Sequence, residues 1–243
     1  MINLFISLYP ETNDRRIQDF AHCLITNQKN RLIDRIFILA EGGVHVSDFG
    51  ATGNRCTLIP VSHRPTYAEY FAEATNAAGP DTISVIANAD IYFDETLAMA
   101  LPMRDIDCYA LLRYETTRYE RPDLGIVGEV GGQQHWGCHY DKRRPGMRHI
   151  ELCNGSQDAW IFKGPIFVKG ADFCPGLMNC DTRIAFQASA TCYRVFNPSL
   201  SIKCWHVHRD WHERHNEKRL PPGPELFTAP CSLVDGKPDD KRY

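Results

Sequence analysis

The sequence has no run of about 18 apolar residues, so no membrane-spanning helix is expected. Its N-terminus, "MINLFISLYP", has no basic leader, no long apolar stretch and no small-residue cleavage site. A secretory signal is therefore not expected, and a cytoplasmic protein is. Neither sign of charge dominates: 27 Lys and Arg against 30 Asp and Glu give a net charge of −3. That argues against a surface built as a whole for polyanions, and leaves room only for local basic patches. Internal repeats and low-complexity tracts are also missing. The ten cysteines are many, yet no two form a C-x-x-C pair, which argues against a zinc ribbon. Cys23, Cys56, Cys108, Cys192 and Cys204 lie inside apolar or helical patterns, so reduced, mostly buried thiols are expected.

What is present is a chain of 243 residues, 43% of them hydrophobic, enough for one substantial domain with an appended arm. "NLFISLYP" reads as a strand ended by Pro10. Residues 12–30 place Ile17, Phe20, Ala21, Leu24 and Ile25 at helical spacing, capped by Asn13 or Asp14. "IDRIFILAEG" and "RCTLIPV" are further strands. Thr66 and Glu69 have the form of a capping box, predicting a helix from near Thr66 to near Gly79. "TISVIANADIYF" reads as one strand, "DCYALLRYE" and "DAWIFKGPIFV" as two more. "CDTRIAFQASATCYRVFNP" reads as a helix running into a strand at Tyr193, and "SLSIKCWHVH" as the last strand. Strands alternating with helical patterns predict an α/β domain with a mostly parallel sheet flanked by helices over residues 1–208, followed by a C-terminal arm, 209–243. Residues 115–156 show no periodicity and are glycine-rich, an irregular segment of a kind that is functional or mobile.

In such sheets ligands bind beyond the carboxyl ends of the strands, and several polar residues gather there. Period two puts Asn88 and Asp90 on one side of an extended chain. A carboxylate and an amide oxygen suit a hard divalent cation that also holds phosphates. Asp94 reads instead as the cap of the next helical turn. Asp181 stands just ahead of a helix, as an N-cap or as a general base. His206 and His208 share one face of a strand and can present a metal ligand, or stand as solvated imidazoles. Asp158 beside Trp160 suits a sugar site or a loop turn before a core strand.

In this order, the pieces resemble the GT-A class of nucleotide-sugar glycosyltransferases, over roughly residues 2–208. "RPTYAEYF" precedes a helix, "NADIYFD" stands in the place of the D-x-D motif, "CDTRIAFQASATCYRV" resembles the acidic x-E-D element, and "HVHR" the late histidine. The resemblance implies a GT-A-like fold and an enzyme that moves a sugar from a nucleotide-diphosphate sugar to an acceptor hydroxyl, with inversion. It implies that Asp90 and His206 or His208 bind Mn²⁺ or Mg²⁺. It implies that Arg64, Tyr67, Asn88 and Asp90 face the nucleotide donor, and that Asp181 is the base; Asp158, beside Trp160, is expected as a second catalytic residue. Asn88 replaces the first acid of D-x-D, Cys180 stands where Glu is common, and Ala190-Thr191-Cys192 where Gly is. A glycan or lipid-linked sugar is the default acceptor. A hydroxymethylated base in DNA is the alternative, raised by the basic stretches "HYDKRRPGMRH" and "HRDWHERHNEKR". Two other readings share the architecture: a sugar nucleotidyltransferase, which needs a glycine-rich N-terminal loop that "LYPETNDRR" is not, and a catalytically silent nucleotide-sugar-binding module.

Overall fold

A computed structural model describes residues 1–53, 55–115, 119–121, 125–127, 157–207 and 219–239. The chain runs through β1 (Ile2–Leu8), α1 (Asp14–Lys29), β2 (Arg35–Glu41), β3 (Cys56–Val61), α2 (Tyr67–Asn76), β4 (Ile83–Ala87), β5 (Ile91–Phe93), β6 (Asp107–Leu111) and β7 (Tyr114–Glu115). It continues through β8 (Tyr119–Arg121), β9 (Gly125–Val127), β10 (Ala159–Lys163), α3 (Cys180–Ala190), β11 (Arg194–Phe196), β12 (Cys204–His206), β13 (Leu233–Val234) and β14 (Lys237–Pro238).

Seven strands form the central sheet in the order β11-β6-β10-β4-β1-β2-β3. All neighbours are parallel except β10, which runs antiparallel between β4 and β6. This is the mostly parallel α/β architecture expected from the sequence. Both faces are covered, as parallel sheets require. On β1, Leu4, Ile6 and Leu8 pack with Phe20 and Leu24 of α1, while Phe5 faces the other layer with Tyr70 and Phe71 of α2 and Ile184 of α3. The alternation follows from the period of two along an extended chain.

Helix boundaries follow local chemistry. Asn13 caps α1, its side-chain oxygen accepting from the Arg15 and Arg16 amides. The Thr66–Glu69 capping box opens α2 in both directions, but the helix ends at Asn76, short of Gly79. Asp94 accepts from the Thr96 amide at 2.9 Å and caps a short 3-10 helix, Glu95–Ala100, as expected. Asp181 is not the cap of α3. That position belongs to Asn179, in the left-handed region at φ 68°, and Asp181 lies in the first turn.

The chain predicted as one strand from Thr82 to Phe93 is broken. After β4 the backbone turns at Asn88, whose carbonyl accepts from the Ile91 amide, and β5 joins a second sheet, β5-β12-β7. Asn27 of α1 holds the break: its side chain donates to the Ile91 carbonyl at 2.9 Å and accepts from the Phe93 amide at 3.1 Å. Similarly, β10 stops at Lys163, because Gly164 turns at φ +70° and Pro165 follows.

The described part of the arm runs along α3 and β11. Arg183 donates to the carbonyls of Pro221 and Pro224, and Leu226 to that of Thr182. The eight cysteines among the described residues are free thiols, five of them buried. No helix among the described residues is long and apolar enough to cross a membrane.

Candidate functional site

The strand order fixes where a site can form. From β1 the chain proceeds outward through β2 and β3, then crosses back by α2 to β4 on the other side of β1. The order reverses between β1 and β4, and their carboxyl ends open a crevice of the kind that binds ligands in open α/β sheets. Arg16 stands beyond β1, Asn88 and Asp90 beyond β4, and Tyr67 at the start of α2.

Asp90 is the centre of the crevice and is 6% exposed. Its Oδ2 accepts from Arg16 Nη1 at 3.0 Å and lies 3.4 Å from His206 Nε2. The register explains His206: it pairs with Ile91 across β12 and β5, and the Val207 amide donates to the Asp90 carbonyl. Burial works against ionisation of Asp90. The His206, Arg16 and Arg113 charges outweigh it and hold the carboxyl well below the usual range. Its other oxygen, Oδ1, is buried and meets no hydrogen-bond donor among the described residues.

That orphaned oxygen is what a bound cation would satisfy, and the His206 imidazole, 3.4 Å from the carboxylate's other oxygen, is a second ligand type close by. Asp90 and His206 therefore fit a divalent ion as a pair of protein ligands. No third His, Cys, Asp or Glu joins them in one group among the described residues. His208 lies outside the described residues, as do both basic stretches and most of the irregular segment.

Asn88 and Asp90 do not share a face, because the turn between β4 and β5 separates them. Asn88 Nδ2 donates to Asp158 Oδ1 at 3.0 Å. Asp158, 6% exposed, also receives both its oxygens' bonds from Arg113 Nη1, at 3.0 and 3.1 Å. Asp158 is thus tied in a buried ion pair, with its backbone pinned to Leu111 and Asn88 on either side.

Asp181 is half-buried and has a different environment. Its Oδ1 accepts from the Tyr67 hydroxyl at 3.3 Å and the Cys180 thiol at 3.2 Å. Burial and the nearby Asp158 charge push its carboxyl up to about 7, against the pull of Cys180, Arg113 and Tyr67. Tyr67 is itself buried, edge-on to Trp160 and Phe173, so its hydroxyl is held in place. A small pocket is lined among others by Tyr67, Asn88, Asp158 and Trp160. Arg64 is exposed at the loop before α2. Its guanidinium lies so close to Gly176 that a β-carbon there would come within 2.5 Å of Nη2.

Asp90 and His206 thus form one group and Asn88 and Asp158 another, while Asp181 is bonded to Tyr67, and the Arg113 charge reaches Asp90, Asp158 and Asp181. Two members did not stand out in the sequence. Arg113 carries a signal, a charge in the otherwise apolar "ALLRY". Arg16 carries none, since it follows Asp14 and Arg15 on the first turn of an amphipathic helix.

No protein-family model matches the sequence, and no curated protein matches it. Solved structures do share the fold. A structure of GalNAc-T7 with UDP, GalNAc and Mn²⁺ superposes with a TM-score of 0.51 at 9% identity, over 86% of this chain and 44% of that one. A 4-diphosphocytidyl-2C-methyl-D-erythritol synthase gives 0.41 at 12% identity, over 86% of this chain and 90% of that one. The synthase from Anaerococcus prevotii gives 0.34 at 12% identity, over 53% of this chain and 62% of that one. The chain thus spans less than half of the GalNAc-T7 structure. At 9% identity the likeness to GalNAc-T7 is one of fold, and the fold is the GT-A-like α/β sheet that the sequence led us to expect.

Proposed function

We propose that this chain is a glycosyltransferase that moves a sugar from a nucleotide-diphosphate sugar to an acceptor hydroxyl, with inversion, within a catalytic domain spanning residues 1–208. One observation supports the reading: two carboxyls, both within reach of the Arg113 charge, are driven in opposite directions, Asp181 up to about 7 and Asp90 well below the usual range. Two carboxyl groups driven apart by their surroundings divide the labour between proton transfer and charge.

Asp181 takes the proton of the acceptor hydroxyl as that oxygen attacks the anomeric carbon. Tyr67, by its hydrogen bond, orients the carboxylate. Asp158 acts on Asp181 through its charge, and is held in place by Arg113 and Asn88. Asp90 and His206, with His208 as a further ligand, would hold Mn²⁺ or Mg²⁺. When bound, the ion would neutralise charge developing on the leaving nucleoside diphosphate. Arg64, in the loop before α2, and Asn88 and Tyr67, on the pocket wall, face the nucleotide.

Asp90→Ala tests the reading. With Mn²⁺ or Mg²⁺ and a panel of nucleotide sugars, it is expected to abolish both donor hydrolysis and transfer. Full activity in that variant would sink the proposal.

A further inference from the structure

Asp90 stands between two positive charges, one already present and one that its free oxygen would accept. Its Oδ2 is bonded to Arg16 Nη1 at 3.0 Å, with the His206 ring 3.4 Å away, while Oδ1 has no donor among the described residues. A divalent ion on this carboxylate would sit within a few ångströms of the Arg16 guanidinium. At such range two like charges repel strongly, because the site is buried and weakly screened. The guanidinium is also well held: it lies 4.8 Å over the Phe20 ring, and the Tyr9 hydroxyl is hydrogen-bonded to it. It projects from the first turn of α1 into the crevice between the ends of β1 and β4, where an anionic ligand would enter. A guanidinium is a planar fork of five N–H donors, suited to phosphate oxygens as much as to carboxylate.

Resting on the glycosyltransferase reading above, we propose that Arg16 is the resident cation of the site. It neutralises Asp90 in the ligand-free protein, competes with a divalent ion for that carboxylate, and turns to the diphosphate of the donor when the ion takes its place. The repulsion between ion and guanidinium is relieved only when an anion arrives between them. Ion and nucleotide therefore bind cooperatively, each favouring the other, as linkage requires. Arg16 also gives the diphosphate a partner that needs no metal.

Arg16→Gln separates this from a merely structural role, because two affinities move in opposite directions. The probes are MnCl₂ alone, and UDP, CDP, GDP and ADP in EDTA or in Mn²⁺, read by calorimetry and thermal shift on the full chain. The wild type is expected to bind one of these diphosphates in EDTA, and more tightly with Mn²⁺. Arg16→Gln is expected to lose at least about tenfold in EDTA, the factor for a charge-assisted hydrogen bond, while binding Mn²⁺ alone more tightly than wild type. Arg16→Lys should fall between them. Asp90→Asn should abolish Mn²⁺ binding and keep diphosphate binding in EDTA. Should Arg16→Gln misfold around an unpaired Asp90, the double variant Arg16→Gln with Asp90→Asn removes that charge. It should bind neither probe.

Diphosphate binding in EDTA that is the same in Arg16→Gln as in wild type, or Mn²⁺ affinity that falls with it, overturns the proposal and leaves the transferase reading standing. So does retained diphosphate binding by the double variant in EDTA. Absence of binding by any nucleoside diphosphate to wild type in either condition overturns both.

Discussion

Asp181 must be ionised to take a proton, and its carboxyl is pushed up to about 7 by burial and by Asp158. Transfer should therefore rise with pH through about 7, and a pH profile of kcat/KM checks it. Asp181→Asn should lower turnover by about 10²–10⁴-fold, the usual contribution of a positioned base, with donor affinity unchanged. The same shift has a sign for stability. The folded carboxyl holds its proton above its ordinary value of 3.8, so its contribution is fully present below about 3.8 and is lost as pH rises through about 7. Denaturation across pH 4 to 8 should show wild type losing ground to Asp181→Asn.

Arg113 pulls Asp181 downward and is the ion-pair partner of Asp158, its Nη1 donating to both carboxylate oxygens. Arg113→Met should raise the midpoint of the pH profile and destabilise the protein by about 3–5 kcal/mol, since it strands a buried carboxylate. A titration of activity and a denaturant midpoint check the two effects separately. The acids of this site were legible in the sequence because carboxylates at strand ends are conspicuous in apolar surroundings. Arg113 was visible for the same reason and was passed over. Arg16 was not legible, because a charge on the first turn of an amphipathic helix is ordinarily solvated, and only the tertiary fold turns it onto Asp90.

Among the elements, the break between β4 and β5 does most to shape the site. "TISVIANADIYF" reads as one strand because apolar residues of strand type flank the polar triplet. The interruption is set by partners far along the chain, β12 on one side and Asn27 on the other. It also sends Asn88 toward Asp158 and Asp90 toward His206, so the period-two argument for a shared face does not hold here. Asn27→Ala should cost about 1–3 kcal/mol for each buried backbone group it leaves unpaired. It should also weaken donor binding, since β5 and β12 together set the Asp90–His206 spacing. Denaturation and calorimetry on that variant measure both. The capping box of α2, by contrast, is local and was fully legible. Thr66→Ala should cost about 1 kcal/mol in denaturant unfolding, and Thr66→Ser close to nothing.

For the whole molecule, the alternation of strand and helix patterns was enough to give the α/β class, because periodicity and turn residues are written locally. The strand order was not, and neither was the antiparallel insertion of β10 between β4 and β6, since pairing between distant strands leaves no local mark. That order puts a reversal between β1 and β4, and the turn after β4 brings residues 16, 90 and 206 together. Fold alone does not decide among chemistries, and the opposite shifts of the Asp90 and Asp181 carboxyls are what the sugar-transfer proposal rests on. The most direct test is nucleoside diphosphate release from a panel of nucleotide sugars with Mn²⁺ or Mg²⁺, with donor affinity measured in parallel for wild type and Asp181→Asn. Wild type should turn over at least one donor, and Asp181→Asn should bind it equally well but release product at least about 100-fold more slowly. Equal release by the two proteins, or failure of wild type to bind any nucleotide sugar, would contradict the assignment.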